Sequence, residues 1–377
     1  MILNDVCELI VDCLHSTAYD EGCGYPLIRT PNIGRGRLIL DDVHRVSEKV
    51  YIERNVRATP QEDDLVLARE APAGNIAIIG ENQKVCLGQR TVLIRPDIKK
   101  VSSLYLMYYL LMPNQQYELL GTANGATVPH VNMSTIRKLP IALPDLETQK
   151  RVAESINVYD NLIENNQKQI KLLEEAAQRL YKEWFIDLRF PGHENVEIVD
   201  EVPEGWNIGI LSDIGIFKRG KTITKAKIVE GEVPVISGGL GPAYYHNESN
   251  TSSPVITVSG SGANAGFTRL YYTKVFASDC SFVDTEQTPY LYWIYLFLKN
   301  NSSRLDMLQK GSAQPHVYAK DINALECVIP IKEVLNLFCE VVGSYFNKIG
   351  ILEQQIIRLT EARDRLLPKL MSGEIEV

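Results

Sequence analysis

The sequence contains no Pro-Pro dipeptide, no Cys-x-x-Cys pair and no apolar run near the roughly 18 residues of a membrane span. Without adjacent prolines, the adenine-methyltransferase motif of Asn or Asp, two prolines and an aromatic cannot be written anywhere in the chain. H-E-x-x-H and G-x-S-x-G are missing too, as is a paired-carboxylate nuclease motif. The apolar run through Tyr105–Met112 stops at Pro113, so no membrane partner is expected. Met1–Leu14 carries acids and lacks a signal-peptide cleavage pattern, which points to a cytoplasmic protein. The seven cysteines, Cys7, Cys13, Cys23, Cys86, Cys280, Cys327 and Cys339, are odd in number and scattered. They read as buried reduced thiols rather than as disulfides or a metal site. An excess of positive charge is lacking as well: 39 Lys plus Arg stand against 47 Asp plus Glu, a net charge of -8. Only a local basic patch could serve a nucleic acid.

What is present is a folded chain with a repeat inside it. The 377 residues, 45% hydrophobic and 23% charged, suit two to three domains at about 150 residues each. Residues 125–144, GATVPHVNMSTIRKLPIALP, align without a gap on residues 311–330, GSAQPHVYAKDINALECVIP, at an offset of 186. Gly125/Gly311, Pro129/Pro315, His130/His316, Val131/Val317, Ile136/Ile322, Leu139/Leu325 and Pro144/Pro330 are identical pairs, where chance gives about one. At the same offset YLMYYLL from Tyr105 faces LYWIYLF from Leu291. LVLAREAPAGNIAI from Leu65 resembles VITVSGSGANAGFT from Val255, and ILNDVCEL from Ile2 resembles ILSDIGIF from Ile210. A period this long means a duplicated domain rather than a solenoid.

Each copy ends in a helical pattern. Ile156, Tyr159, Ile163, Asn166, Ile170, Leu173, Ala177, Leu180 and Trp184 alternate steps of three and four. Val342, Tyr345, Ile349, Leu352, Ile356, Leu359, Arg363, Leu366 and Leu370 do so 186 residues later. These are heptad seams. The helices either cover their own domains or pack on each other; narrow seams in one register favour the second. The remainder of each copy reads as mixed α/β. Short strands are expected at Asp64–Ala68, Asn75–Ile79, Thr91–Ile94, Val255–Val258 and Val275–Ala277, and helices at 103–112 and 289–299. The expected domains are 1–145, a spacer helix at 146–188, a second domain at 189–330 entered through a polar lead-in at 189–209, and a second spacer helix at 331–377.

Few residues carry recognisable chemistry. Gly215–Thr222 fits G-x-x-x-x-G-K-[ST], but a nucleotide-binding loop needs a helix directly after it, and the chain continues with a short β-branched run. The alternatives are an ATP-using catalytic chain or a basic turn. Lys218, Arg219, Lys221, Lys225 and Lys227 form a basic island with no acid among them, suited either to contacts with a phosphate backbone or to plain solvation. Asn264, in a Gly-rich turn, can read an adenine edge. Arg35, Arg37, Arg69, Gln314 and Tyr318 are further base-contact candidates on expected loops. His130 and His316 either fix a loop or face DNA. No metal site is expected.

Taken together these features resemble the specificity subunit of type I restriction-modification enzymes. The resemblance rests on the tandem units. It rests also on residues 143–194, LPDLETQKRVAESINVYDNLIENNQKQIKLLEEAAQRLYKEWFIDLRFPGHE, on the C-terminal RLTEARDRLLPKLMSGEIEV, and on G-x-x-x-P-H-V ahead of each helix. It implies two tandem target recognition domains, each reading one half of a bipartite site in double-stranded DNA. It also implies an antiparallel coiled coil that spaces them and holds two modification (methyltransferase) subunits, with motor-nuclease restriction subunits joining for cleavage. S-adenosylmethionine, ATP and Mg would belong to those partners and no cofactor to this chain. Such a chain is not an enzyme on its own. The second helix, from Ile331, lacks the start seen at Leu146–Gln149, and the first unit has no lead-in like 191–209. The repeat therefore reads as circular, with the C-terminal helix returning beside the N-terminus.

Overall fold

The computed structural model describes residues 1–121, 130–311 and 314–376; Gly125 and Pro129 of the repeat lie outside them. The chain divides into two compact units, Met1–Ile163 with Arg358–Val377, and Glu164–Ile357. The C-terminal residues thus belong to the same unit as the N-terminus, as a circular repeat requires.

In the first unit a five-stranded sheet runs in the order Cys7–Asp12, Thr91–Pro96, Leu65–Ala68, Ile76–Ile78, Gly36–Arg37. Leu65–Ala68 is buried along its whole length because strands flank it on both edges and apolar layers cover both faces. A three-stranded sheet places Tyr25–Ile28 between Arg45–Val46 and, in parallel, Cys86–Leu87. The helix Ser103–Leu111 closes one face through Tyr105, Leu106 and Leu110.

The second unit repeats this plan. Its four-stranded sheet runs Lys218–Arg219, Cys280–Asp284, Val255–Ser259, Thr268–Tyr271, and its three-stranded sheet sets Val233–Ile236 between Pro242–His246 and, in parallel, Phe276–Ala277. The helix Leu291–Asn300 takes the place of Ser103–Leu111. The short turn at Leu3–Val6 has its counterpart at Leu211–Asp213. Leu3 N–H donates to the Leu139 carbonyl at 2.9 Å, as Leu211 N–H does to that of Leu325. The repeats marked in the sequence are therefore repeats of topology. The polar lead-in is less loose than its composition suggests: Ile198–Val199 and Val202–Pro203 form a small hairpin. Phe190 and Trp206 on either side are buried, with ring centroids 4.8 Å apart.

The two spacer helices span Leu146–Phe185 and Lys332–Ser372, each about 60 Å long at helical rise. Asp145 starts the first, its carboxylate accepting from the Glu147 and Thr148 amides at 3.1 and 3.0 Å. The second begins with no such cap and runs through Gly343, Gly350 and Pro368. Gly350 has a reason to be there, since a Cβ would lie 2.9 Å from the Tyr272 ring. All the seam positions are buried or half-buried. Within the first unit Asp160 meets Arg363, and Ile156 shares a core with Leu370. Within the second, Asn166 donates to Gln355 at 3.2 Å and Phe185 meets Phe338. Numbers rise on one helix as they fall on the other, so the pair is antiparallel. Each helix also covers its own domain: Val152 and Ile156 share a core with Leu106 in the first unit, and Val334 and Phe346 share one with Trp293 in the second. The two packing modes expected as alternatives coexist.

Four of the seven thiols are buried and two half-buried, but Cys23 is exposed, which corrects the expectation for that residue.

Candidate nucleic-acid interface

In the second unit five chain segments are hydrogen-bonded together at one end of the four-stranded sheet. Gly220 N–H donates to the Cys280 carbonyl at 2.8 Å and Lys221 N–H to that of Ala277 at 2.9 Å. Gly260 donates to Asp279 at 3.1 Å, Val317 to Gly260 at 3.1 Å, Gly262 to Pro315 at 3.0 Å and Ser278 to Ile236 at 2.8 Å. This lattice brings the exposed Arg219, Lys221, Gln314 and Tyr318 to one end of the sheet with the half-buried Asn264 and His316. Asn264 is turned partly inward, Nδ2 donating to the Gly238 carbonyl at 3.4 Å. His316 lies nearly parallel to the Tyr318 ring, 6.0 Å away at 14°, and the Lys320 ammonium sits 5.9 Å from the centroid of that tyrosine ring.

The nucleotide-loop reading of Gly215–Thr222 does not survive this geometry. Both glycines are there for packing. A Cβ on Gly220 would meet the Ser278 carbonyl oxygen at 2.4 Å, and one on Gly215 would meet Ile294 Cδ1 at 2.6 Å. Lys218–Arg219 is a strand, and after Thr222 comes only a three-residue turn at Lys225–Lys227, with no helix N-terminus to hold phosphate. The basic turn remains. Lys218, Arg219, Lys221, Lys225 and Lys227 are all exposed, and no carboxylate pairs with them among the described residues. Lys225 and Lys227 lead into Val229, whose N–H donates to His246 Nδ1 at 3.1 Å beside the strand Pro242–His246. That strand presents Tyr244 and Tyr245 to solvent, two aromatics that sequence reading passed over.

The equivalent sheet end in the first unit is built from charges. Arg69 comes directly after Leu65–Ala68 and is buried, where a loop base-contact residue was expected. Its Nε donates to the Val131 carbonyl at 2.9 Å and its Nη2 to His130 Nε2 at 2.7 Å. Arginine can only donate, so His130 Nε2 accepts, and its Nδ1–H is left to donate to Glu70. Arg90 closes the chain at 2.9 Å from Glu70. Asp12 gathers Arg57, His15 and, at 3.9 Å, Arg69. Burial opposes ionisation of Asp12, but the His15 hydrogen bond and the two guanidinium charges outweigh it and hold the carboxyl below its usual range. Among the described residues the exposed cations of this end include Arg57 and Arg90, which the sequence did not single out, because only folding sets them beside Arg69, whose N–H donates to the Arg90 carbonyl at 2.8 Å. Arg35 and Arg37 are not part of the cluster. Arg35 donates to the Leu111 carbonyl at 3.2 Å and Arg37 to Asn161 at 2.5 Å, so both reach toward helices.

Among the described residues there is no group of three or more His, Cys, Asp or Glu placed to hold a metal, and no helix long and apolar enough to cross a membrane.

A duplicated sheet-and-helix unit joined by paired long helices agrees with comparison to known proteins. The type I restriction modification DNA specificity domain model matches twice, over residues 1–175 and 203–361. The chain belongs to this specificity-domain family. Relatives include the MjaIX specificity subunit of Methanocaldococcus jannaschii, 28% identical, the match covering 88% of this chain and 82% of the relative. The HindI specificity subunit of Haemophilus influenzae is 25% identical, with coverage of 75% and 80%. The fold also matches the crystal structure of the type I restriction-modification S subunit from M. genitalium, with a TM-score of 0.65 at 16% identity over 98% of this chain and 95% of that one. The two family matches leave residues 176–202 between them, an interval that takes in the last turns of the first long helix and most of the small hairpin.

Proposed function

We infer that this chain is the DNA-recognition subunit of a type I restriction-modification complex and carries no catalysis of its own. The observation that supports it most is the double match to a DNA specificity domain on two units of one topology. Each globular domain, 1–145 and 189–330, reads one half of a bipartite site in double-stranded DNA. The helices at 146–188 and 331–377 set the gap between the halves and carry two modification subunits, which bring S-adenosylmethionine. Restriction subunits bring ATP-driven movement and cleavage. The complex works in the cytoplasm.

At the second unit the basic island supplies contacts to phosphate, and the Asn264, Gln314, His316 and Tyr318 loops lie where base edges are read. At the first unit Arg57 and Arg90 stand at the corresponding sheet end, supported from beneath by Arg69 and His130. The two ends differ in chemistry, so the two half-sites differ in sequence.

The test is to assemble the chain with its modification partners, supply S-adenosylmethionine, and sequence the methylated adenines on a random DNA library. A single motif of two unlike half-sites with a fixed gap is expected. A contiguous motif, or methylation with no motif, overturns the reading.

A further inference from the structure

The joint between the first globular domain and the spacer helices adds short, directed polar ties to its apolar core, whereas the same joint in the second unit is mainly aromatic and aliphatic, with one long hydrogen bond from the Tyr292 hydroxyl to Asn347 Oδ1 at 3.4 Å. In the first unit Tyr108, on the helix Ser103–Leu111, donates its hydroxyl to Asp160 Oδ2 at 2.6 Å, and Arg363 Nη1 donates to Asp160 Oδ1 at 2.7 Å. One carboxylate on the first spacer helix thereby ties the domain helix to the second spacer helix. Asp160 and Arg363 have side chains only 13% and 24% exposed, so the pair is screened less than a surface ion pair. Burial, reinforced by the Asp160 charge, pushes the Tyr108 hydroxyl far up, so it stays a donor. A second tie lies nearer the start of the helix, where the buried Gln149 accepts from Ser102 N–H at 3.0 Å and donates to the Pro144 carbonyl at 2.9 Å.

The offset of 186 carries Asp160 to Phe346, Gln149 to Leu335, Arg363 back to Ala177 and Tyr108 to Ile294. All four counterparts are apolar and buried. Phe346 stacks on Tyr292 at 4.8 Å and 11°, and meets Tyr295 edge-on at 5.7 Å. Apolar packing is non-directional and tolerates small slides. Hydrogen bonds to a half-buried carboxylate fix direction, and leaving one unmade is costly. A helix held at one point can swivel, whereas one held at two separated points cannot.

We propose that Asp160 is a positioning residue that locks the first recognition domain in one angular setting on the spacer helices, and so fixes where its half-site falls relative to the gap. The proposal rests on the bipartite reading above. Asp160 touches no DNA; it acts through Tyr108 and Arg363.

The experiment uses the complex assembled with its modification subunits, on a library holding both half-sites at gaps from two base pairs shorter to two longer than the wild-type gap. Wild type should methylate one gap. Tyr108→Phe removes one hydroxyl, and Asp160→Ala removes the bonds to both Tyr108 and Arg363 while leaving the Gln149 tie in place. Each should raise methylation at neighbouring gaps relative to the wild-type gap by about tenfold, with half-site sequences unchanged. Asp160→Arg should relax the gap further, and adding Arg363→Asp, which restores the ion pair in reverse, should recover part of the discrimination. Should Asp160→Ala not fold, Tyr108→Phe, which leaves the ion pair intact, carries the test. Folded variants that keep the single wild-type gap overturn the proposal, and so does gap relaxation that the reversed pair does not recover at all. A wild-type complex without any bipartite motif sinks the underlying reading instead.

Discussion

Phe185 and Phe338 meet edge to face, ring centroids 4.8 Å apart and planes at 82°. Phe338 also touches Tyr181 and Trp184, so one wholly buried ring joins the end of the first spacer helix to the start of the second. Phe338→Ala removes this contact and leaves a cavity. The expected cost is about 3–5 kcal/mol, seen as a large fall in the thermal midpoint. A midpoint within a degree of wild type would show that the helix ends are held by other contacts.

Arg69 is a support and not a reader. Arg69→Ala strands the Val131 carbonyl and breaks the tie to His130, at an expected cost of about 3 kcal/mol. Arg69→Lys should recover little, because an ammonium cannot reproduce the two directed guanidinium bonds. Thermal melts check both variants. Wild-type melting together with a changed base preference would return Arg69 to the surface role read from the sequence.

The basic island should act on affinity more than on sequence choice. Lys221→Ala with Lys225→Ala should weaken cognate and non-cognate DNA alike and lower the slope of log K against log salt by about one to two. Titrations at several salt concentrations measure this, and an unchanged slope counts against backbone contact.

Length along the spacer should translate into base pairs. Four residues inserted near Leu173 add about 6 Å and rotate the remainder of the helix by about 40°. At about 3.4 Å per base pair that is about two base pairs of extra gap. Methylation motifs of the inserted protein should keep both half-sites and change only the gap. Altered half-sites with the original gap would defeat the ruler.

Glu353 and Glu174, one on each spacer helix in the second unit, both have carboxyls pushed up by burial. Each is eased by one cation, Arg269 for Glu353 and Lys299 for Glu174, and Glu353 is pushed further by Glu174. A raised folded-state value means the folded chain holds its proton more tightly than the unfolded one. That stability is fully present below the ordinary Glu value of 4.5 and is lost as pH rises through the raised value. Glu353→Gln should therefore melt higher than wild type at pH 7, and the gap should close as pH falls toward 4.5. A variant that melts lower at pH 7 would mean that the Arg269 attraction outweighs burial.

Much of this molecule is local and so was readable in the chain. Strand segments such as Leu65–Ala68 and Val255–Ser259, the helices at 103 and 291, and both heptad seams are set by side-chain period and β-branching over a few residues. The duplication was legible because Pro-His-Val and its neighbours recur at one offset. The features that the chain could not disclose depend on partners far away in sequence. Gly220 and Gly215 spell a phosphate loop, and only the carbonyl of Ser278 and the side chain of Ile294 show that they are spaces left for packing. Arg69 looks like any loop cation until Val131 and His130, some sixty residues on, enclose it. Asp160 and Phe346 occupy one place in the repeat, yet one anchors its domain by directed bonds and the other by contact. That difference arises because a carboxylate in a half-buried joint needs its donors, Tyr108 and Arg363, brought from two other helices, and folding alone brings them there.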